Sequence, residues 1–137
     1  MHEYDVIMLD SNQVKDIENR LNAYDKKHIQ YTIDGEISLG IIEDSHLIAG
    51  VNACMTAYRI LYVSTVFVEE SYRNKGVGRY LMTKLENEAK KLGANLIRLD
   101  SFNWQGSYFY ERIGYKKVGE YQNEKDSFSE YFFLKEI

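Results

Sequence analysis

The feature that most limits what this chain can fold into is a change of periodicity near its middle. Ile60–Val68, Ile-Leu-Tyr-Val-Ser-Thr-Val-Phe-Val, is almost continuous in apolar and β-branched residues, as expected of a strand buried on both faces. Nine residues later Val77, Leu81, Met82, Leu85, Ala89 and Leu92 recur at helical spacing, with Lys84, Glu86, Glu88, Lys90 and Lys91 on the other faces. Gly93 suits the position just past a helix end, and Lys90-Lys91 complement the negative end of its dipole. Leu96–Leu99 then reads as a short strand. A strand, a crossover helix and a second strand imply a parallel pair at the centre of a sheet.

The flanks extend this unit on both sides. Tyr4–Leu9 can form a first strand. Val14, Ile17, Leu21 and Tyr24 predict a helix from Ser11 to about Tyr24, capped by Ser11 or Asn12. Ile29 to Val68 is rich in β-branched and aromatic residues and divides at Asp34-Gly35, Glu43-Asp44-Ser45 and Tyr58-Arg59. Ile37–Ile42 and Leu47–Thr56 read as a hairpin turning at Asp44-Ser45. Downstream, a short helix from about Gln105 to Arg112 stops at Gly114. Lys116–Tyr121 and Tyr131–Leu134 close the chain as a hairpin around the polar loop Asn123–Ser127. The expected fold is α/β: a mixed central sheet, antiparallel in its N-terminal half with a parallel pair at the centre, flanked by helices. With 137 residues and no linker or repeat, residues 1–137 are read as one domain.

The stretch joining the central strand to its helix carries the chemistry. Val68-Glu69-Glu70-Ser71-Tyr72-Arg73-Asn74-Lys75-Gly76-Val77-Gly78-Arg79 runs from a strand end through two glycines into a helix. The first N–H groups of a helix lack intrahelical partners and lie at the positive end of its dipole. Residues 73–79 hold three basic side chains, Arg73, Lys75 and Arg79, and no acidic one, in a protein of net charge −4. Gly76 and Gly78 alone would fit a helix start with solvated charges. Together with the strand and the basic cluster they point to a bound anion. A dinucleotide fingerprint would need glycine where Leu81 stands, and no Gly-Lys-Ser/Thr follows for a Walker loop.

Arg-x-x-Gly-x-Gly, Arg73 to Gly78, resembles the acetyl-CoA pyrophosphate loop of the GNAT superfamily of N-acetyltransferases. The resemblance continues through Asn103-Trp104-Gln105-Gly106-Ser107-Tyr108-Phe109-Tyr110 and Gly114-Tyr115, which is similar to the family's Asn-x-x-Ala-x-x-apolar-Tyr helix and Gly-aromatic pair. Leu99-Asp100-Ser101-Phe102 looks like the Leu-Asp-Thr-Phe of a bacterial subgroup. Gly106 replaces the usual alanine, and Ser101 the usual threonine. The likeness implies an enzyme that moves an acetyl group from acetyl-CoA, its co-substrate, to a primary amine of a small-molecule or peptide acceptor by direct attack. A module of the same fold that binds CoA without catalysis is the alternative.

What the resemblance implies can be placed residue by residue. The main chain of Val66, Phe67 and Val68 would pair with the pantetheine arm, with a backbone N–H at Phe67 or Val68 for the carbonyl oxygen. Arg73, Asn74, Lys75, Gly76, Val77, Gly78 and Arg79 would cradle the phosphates. Asn103 would hold a pantetheine amide, cap the following helix, or both. Tyr110 would donate to the departing sulfur, although an aromatic on a short helix is more often core. Glu69 is the candidate general base, with Glu70 and Asp100 as rivals. Adjacent residues at a strand end point apart, so at most one of Glu69 and Glu70 faces the site. Homodimerisation is a family-level expectation.

The rest of the sequence narrows the classes. The acidic balance argues against a nucleic-acid or anionic-membrane binder, which needs a broad basic surface. Cys54 is a single cysteine, so it forms no internal disulfide; together with the absence of a leader-like start this points to the cytoplasm, with Cys54 buried and inert. His2, His28 and His46 lack metal-ligand spacing, so no metal is expected.

Overall fold

The computed structural model describes residues 2–29 and 32–137. They divide into a short N-terminal unit and a larger one beginning at residue 33. In the N-terminal unit the helix α1 (Ser11–Asp25) forms where the spacing places it. Its cap is Asp10 rather than Ser11 or Asn12. The Asp10 carboxylate accepts from the Gln13 N–H at 2.8 Å, and the Gln13 side chain accepts from the Asp10 N–H at 3.0 Å. This reciprocal box satisfies two groups at once, which a lone Ser11 cap cannot do. Tyr4–Leu9, expected as a strand, takes no strand conformation. Alternating apolar residues favour a strand only where a neighbour completes the ladder, and the sheet includes none of these residues. The opening of the β-rich region at residues 30 and 31 lies outside the described residues.

The larger unit is built on a six-stranded sheet: β1 (Glu36–Glu43), β2 (His46–Met55), β3 (Ile60–Val68), β4 (Leu96–Phe102), β5 (Lys116–Asn123) and β6 (Phe128–Glu136), in spatial order β1-β2-β3-β4-β6-β5. Between β3 and β4 runs α2 (Val77–Leu92), and between β4 and β5 the short α3 (Ser107–Arg112). All pairings are antiparallel except β3 with β4. The first hairpin turns at Asp44 and Ser45, both with positive φ, the turn whose twist suits antiparallel strands.

Alternation along the strands selects one face for the core. Leu61 and Val63 of β3, Ile97 and Leu99 of β4 and Phe133 of β6 are buried there, with Leu81, Met82, Leu85 and Ala89 from α2. The large side chains among them that are fully buried, such as Leu61, Ile97 and Phe133, contribute roughly 1.5–3 kcal/mol each. The other face of β3 is not closed: Tyr62 is half-buried and Phe67 is 54% exposed. The expectation of a strand buried on both faces therefore fails. A continuous apolar run permits burial on two sides but needs helices on both to obtain it.

One irregularity creates the site. β3 and β4 pair only at Ile60–Leu96, Leu61–Ile97 and Tyr62–Arg98, although β3 continues to Val68 and β4 to Phe102. Against β2, Ala53 faces Val63 and Asn52 faces Thr65, so Ser64 is the extra residue of a bulge. A bulge bends its strand and raises its twist. Here it falls two residues beyond the last parallel pair, and the strands part.

Candidate active site

The parted strands leave the far edge of β3 without a neighbour. Glu69 N–H donates to Ile48 O at 2.8 Å, so that residue points its backbone toward β2. Antiparallel pairing alternates, so Phe67 also faces β2 while Val66 and Val68 turn their N–H and C=O groups into the gap. The Val68 carbonyl is taken by Arg73, whose Nε donates to it at 2.8 Å.

Beyond the strand, a 3₁₀ turn at Glu70–Tyr72 leads into the glycine loop. Asn74 (φ 60°) and Gly76 (φ 82°) are left-handed, and this winding brings the chain round to start α2. Gly76 occupies the cap position without any side-chain hydrogen bond, so the first amides of α2 lack a protein cap. A Cβ on Gly76 would meet nothing within 4 Å, so its need is conformational. Gly78 is required for another reason: a Cβ there would lie 3.0 and 3.2 Å from the Phe109 ring and 3.7 Å from Val68. Its absent side chain lets α2 and α3 approach.

A cavity of about 830 Å³ collects these parts. It is lined by Val66, Phe67 and Val68 of β3, by Arg73, Asn74, Gly76, Gly78 and Arg79 of the loop and helix start, and by residues of the 104–113 segment that include Tyr110. Tyr110 is 8% exposed and ringed by Phe109, Tyr115 and Phe133 at centroid distances of 5.2, 5.9 and 5.6 Å. Burial pushes its pKa up to about 12. The phenol thus holds its proton at neutral pH.

Several residues singled out in the sequence lie apart from the cavity. Lys75 is not in its lining and sits 5.9 Å from the Tyr72 ring; Val77 packs toward the core. Glu69 follows β3 directly and is exposed, outside the lining. Asn103 links β4 to β6: its N–H donates to Ser129 O and its Oδ1 accepts from Ser129 N–H, both at 2.9 Å. It lines a shallow recess with the β5–β6 turn. Cys54, expected to be buried, is half-exposed on β2.

The sequence reading missed Gln105, Tyr108, Phe109 and Arg112, which line the cavity beside Tyr110. Tyr108, Phe109 and Arg112 share one face of α3, a helical spacing present in the sequence; Gln105 lies in the turn before α3, which starts at Ser107 rather than at Gln105 as expected. Arg112 adds a third cavity-lining guanidinium to those of Arg73 and Arg79. Three cations, uncapped helix amides, an unpaired strand edge and apolar walls fit an acyl thioester on a phosphorylated, amide-containing arm.

Residues 34–117 match the sequence pattern of the acetyltransferase (GNAT) domain. The chain belongs to the GNAT acetyltransferase family. It is 30% identical over 110 residues to the acetyltransferase Atu2258 of Agrobacterium fabrum, covering 80% of each protein. Its fold matches the crystal structure of an acetyltransferase from Bacillus cereus with a TM-score of 0.90, at 27% identity over 98% of both chains. An aminoglycoside 6'-N-acetyltransferase solved with coenzyme A matches with a TM-score of 0.64 at 19% identity, over 83% of this chain and 78% of that one, a likeness of fold alone. This GNAT protein is thus an acetyl-CoA-dependent N-acetyltransferase, and acetyl-CoA is its co-substrate.

Proposed function

We propose that the enzyme acetylates a primary amine by direct attack on the thioester, with Val68 and Tyr110 acting on opposite sides of the breaking bond. The observation that carries this reading is the convergence on one cavity of the unpaired β3 edge, the uncapped start of α2 and Tyr110. Acetyl-CoA's diphosphate sits on the amides of residues 76–79, assisted by Arg73, Arg79 and Arg112. Its pantetheine arm runs along Val66–Val68 as an added strand.

The neutral amine's lone pair attacks the carbonyl carbon, and charge gathers on the oxygen. Of the two amides that sequence left open, strand alternation favours Val68 as the oxyanion donor, since Phe67 turns its N–H toward β2. The C–S bond then breaks and its electrons pass to sulfur, which accepts a hydrogen bond from the Tyr110 hydroxyl. A thiol has a pKa of about 8.5. The phenol, at about 12, therefore shares its proton with the thiolate and keeps it. The surplus amine proton leaves through water to Glu69, the carboxylate next in sequence to Val68.

The test is release of CoA thiol from acetyl-CoA across a panel of a polyamine, an amino acid, an aminoglycoside and a lysine-containing peptide. Turnover with at least one, with the product acetylated on nitrogen, is expected. Binding of acetyl-CoA without turnover on any amine would contradict the reading.

A further inference from the structure

The helix that carries Tyr110 is too short to hold itself in place. α3 has six residues, about one and a half turns, and isolated helices of that length do not persist in water. Its N-terminal position, Gly106, offers no side-chain cap. At its C-terminal end the carbonyls of Arg112 and Ile113 are held from outside, that of Arg112 by the Arg79 guanidinium of α2 at 3.4 Å. Lys135 of β6 donates from Nζ to Ile113 O at 2.9 Å and to Glu86 Oε1 of α2 at 2.8 Å. Glu86 Oε2 in turn accepts from the Tyr115 hydroxyl at 3.3 Å, and Tyr115 N–H donates to Tyr110 O at 2.9 Å.

This pair is not an ordinary surface contact. The Lys135 and Glu86 side chains are 25% and 15% exposed, among the core aromatics, whereas the ion pair Lys91–Glu88 has exposures of 74% and 46%. The Lys135 stem also fills the space over Gly114, where a Cβ would lie 3.3 Å from Cε. The ammonium therefore ties three elements, α2, β6 and the end of α3, at the point where α3 turns into β5. Partly buried pairs add little net stability relative to apolar replacements.

We propose that the Lys135–Glu86 pair is a positioning clamp for Tyr110, fixing the end of α3 so that the phenol meets the sulfur of acetyl-CoA. Neither residue lines the cavity. The inference rests on the reading of Tyr110 as the donor to sulfur. Misplacement of a catalytic group by about 1 Å can cost up to roughly a hundredfold in rate.

The experiment measures kcat and KM with acetyl-CoA and the fastest amine of the panel, together with acetyl-CoA affinity by calorimetry. The proteins are wild type, Lys135→Met, Lys135→Arg, Tyr110→Phe and Tyr110→Phe/Lys135→Met, all well below their melting temperatures. Lys135→Met keeps the stem and removes the ammonium. It is expected to lower kcat about tenfold, with acetyl-CoA affinity within about twofold of wild type, and Lys135→Arg to recover most of the loss. In the Tyr110→Phe background, Lys135→Met should cost nothing further, because the hydroxyl that it positions is already gone. An unchanged kcat in Lys135→Met, a loss of acetyl-CoA affinity that accounts for its effect, or losses that multiply in the double variant would overturn the clamp. A drop in Tyr110→Phe with none in Lys135→Met removes the clamp alone; an unchanged Tyr110→Phe removes the donor reading and the clamp with it.

Discussion

At the scale of single residues, Tyr110 and Gly78 make the most exposed commitments. If the Tyr110 hydroxyl supports the departing sulfur, Tyr110→Phe should lower kcat by roughly ten- to a thousandfold with little change in acetyl-CoA affinity. Steady-state kinetics and calorimetry on the same preparation would show whether that split holds. Burial raises the pKa of Tyr110 to about 12, and burial aided by the Glu86 charge raises that of Tyr115 as well. Both folded values exceed the unfolded one of about 10. Stability from keeping these phenols neutral is therefore complete below pH 10 and lost as the pH climbs from 10 through the folded values. Urea midpoints should hold from pH 7 to 9 and then fall, less steeply in Tyr110→Phe, which has lost one of the two groups. Gly78 makes a different commitment. Gly78→Ala would press on Phe109, which lines the cavity, so it should weaken acetyl-CoA binding, measured by calorimetry. The loop glycines that look alike in sequence thus act differently, one through its backbone angle and one through close contact.

At the scale of elements, the helices and hairpins were legible and their surroundings were not. The spacing of Leu81, Met82, Leu85 and Ala89 specified α2 with its ends at Val77 and Leu92, because periodicity and the Gly93 stop are local properties. Leu85 is fully buried, and Leu85→Ala should destabilise the fold by about 2–5 kcal/mol, read as a shifted denaturation midpoint. Tyr4–Leu9 misled because a strand is completed by a partner that the segment itself does not encode. The bulge at Ser64 was invisible for a related reason. It is defined by the register of β3 against β2, and nothing in Ser-Thr marks it. Yet that bulge accompanies the parting of β3 from β4, on which the candidate site depends.

At the scale of the whole molecule, the mixed sheet with one parallel pair follows from the order of periodicities along the chain, and the structure has that architecture. The proposed cradle is suggested by the sequence alone because glycines, basic residues and a helix start sit within a dozen positions. The Lys135–Glu86 contact was not, since 49 residues separate its partners. Asn103 marks the boundary between the two cases: its motif position suggested the pantetheine arm, while its side chain reaches Ser129 of β6. On an acidic chain, local cations at Arg73, Arg79 and Arg112 should make acetyl-CoA binding weaken as salt is raised, and Arg112→Ala should flatten that dependence in a titration from about 50 to 500 mM NaCl. The most direct test of the central claim is a crystal structure with a non-hydrolysable acetyl-CoA analogue. The account predicts diphosphate oxygens about 3 Å from the amides of residues 76–79 and the atom replacing sulfur within about 3.5 Å of the Tyr110 hydroxyl. A diphosphate bound elsewhere, or that atom lying far from the phenol, would contradict it.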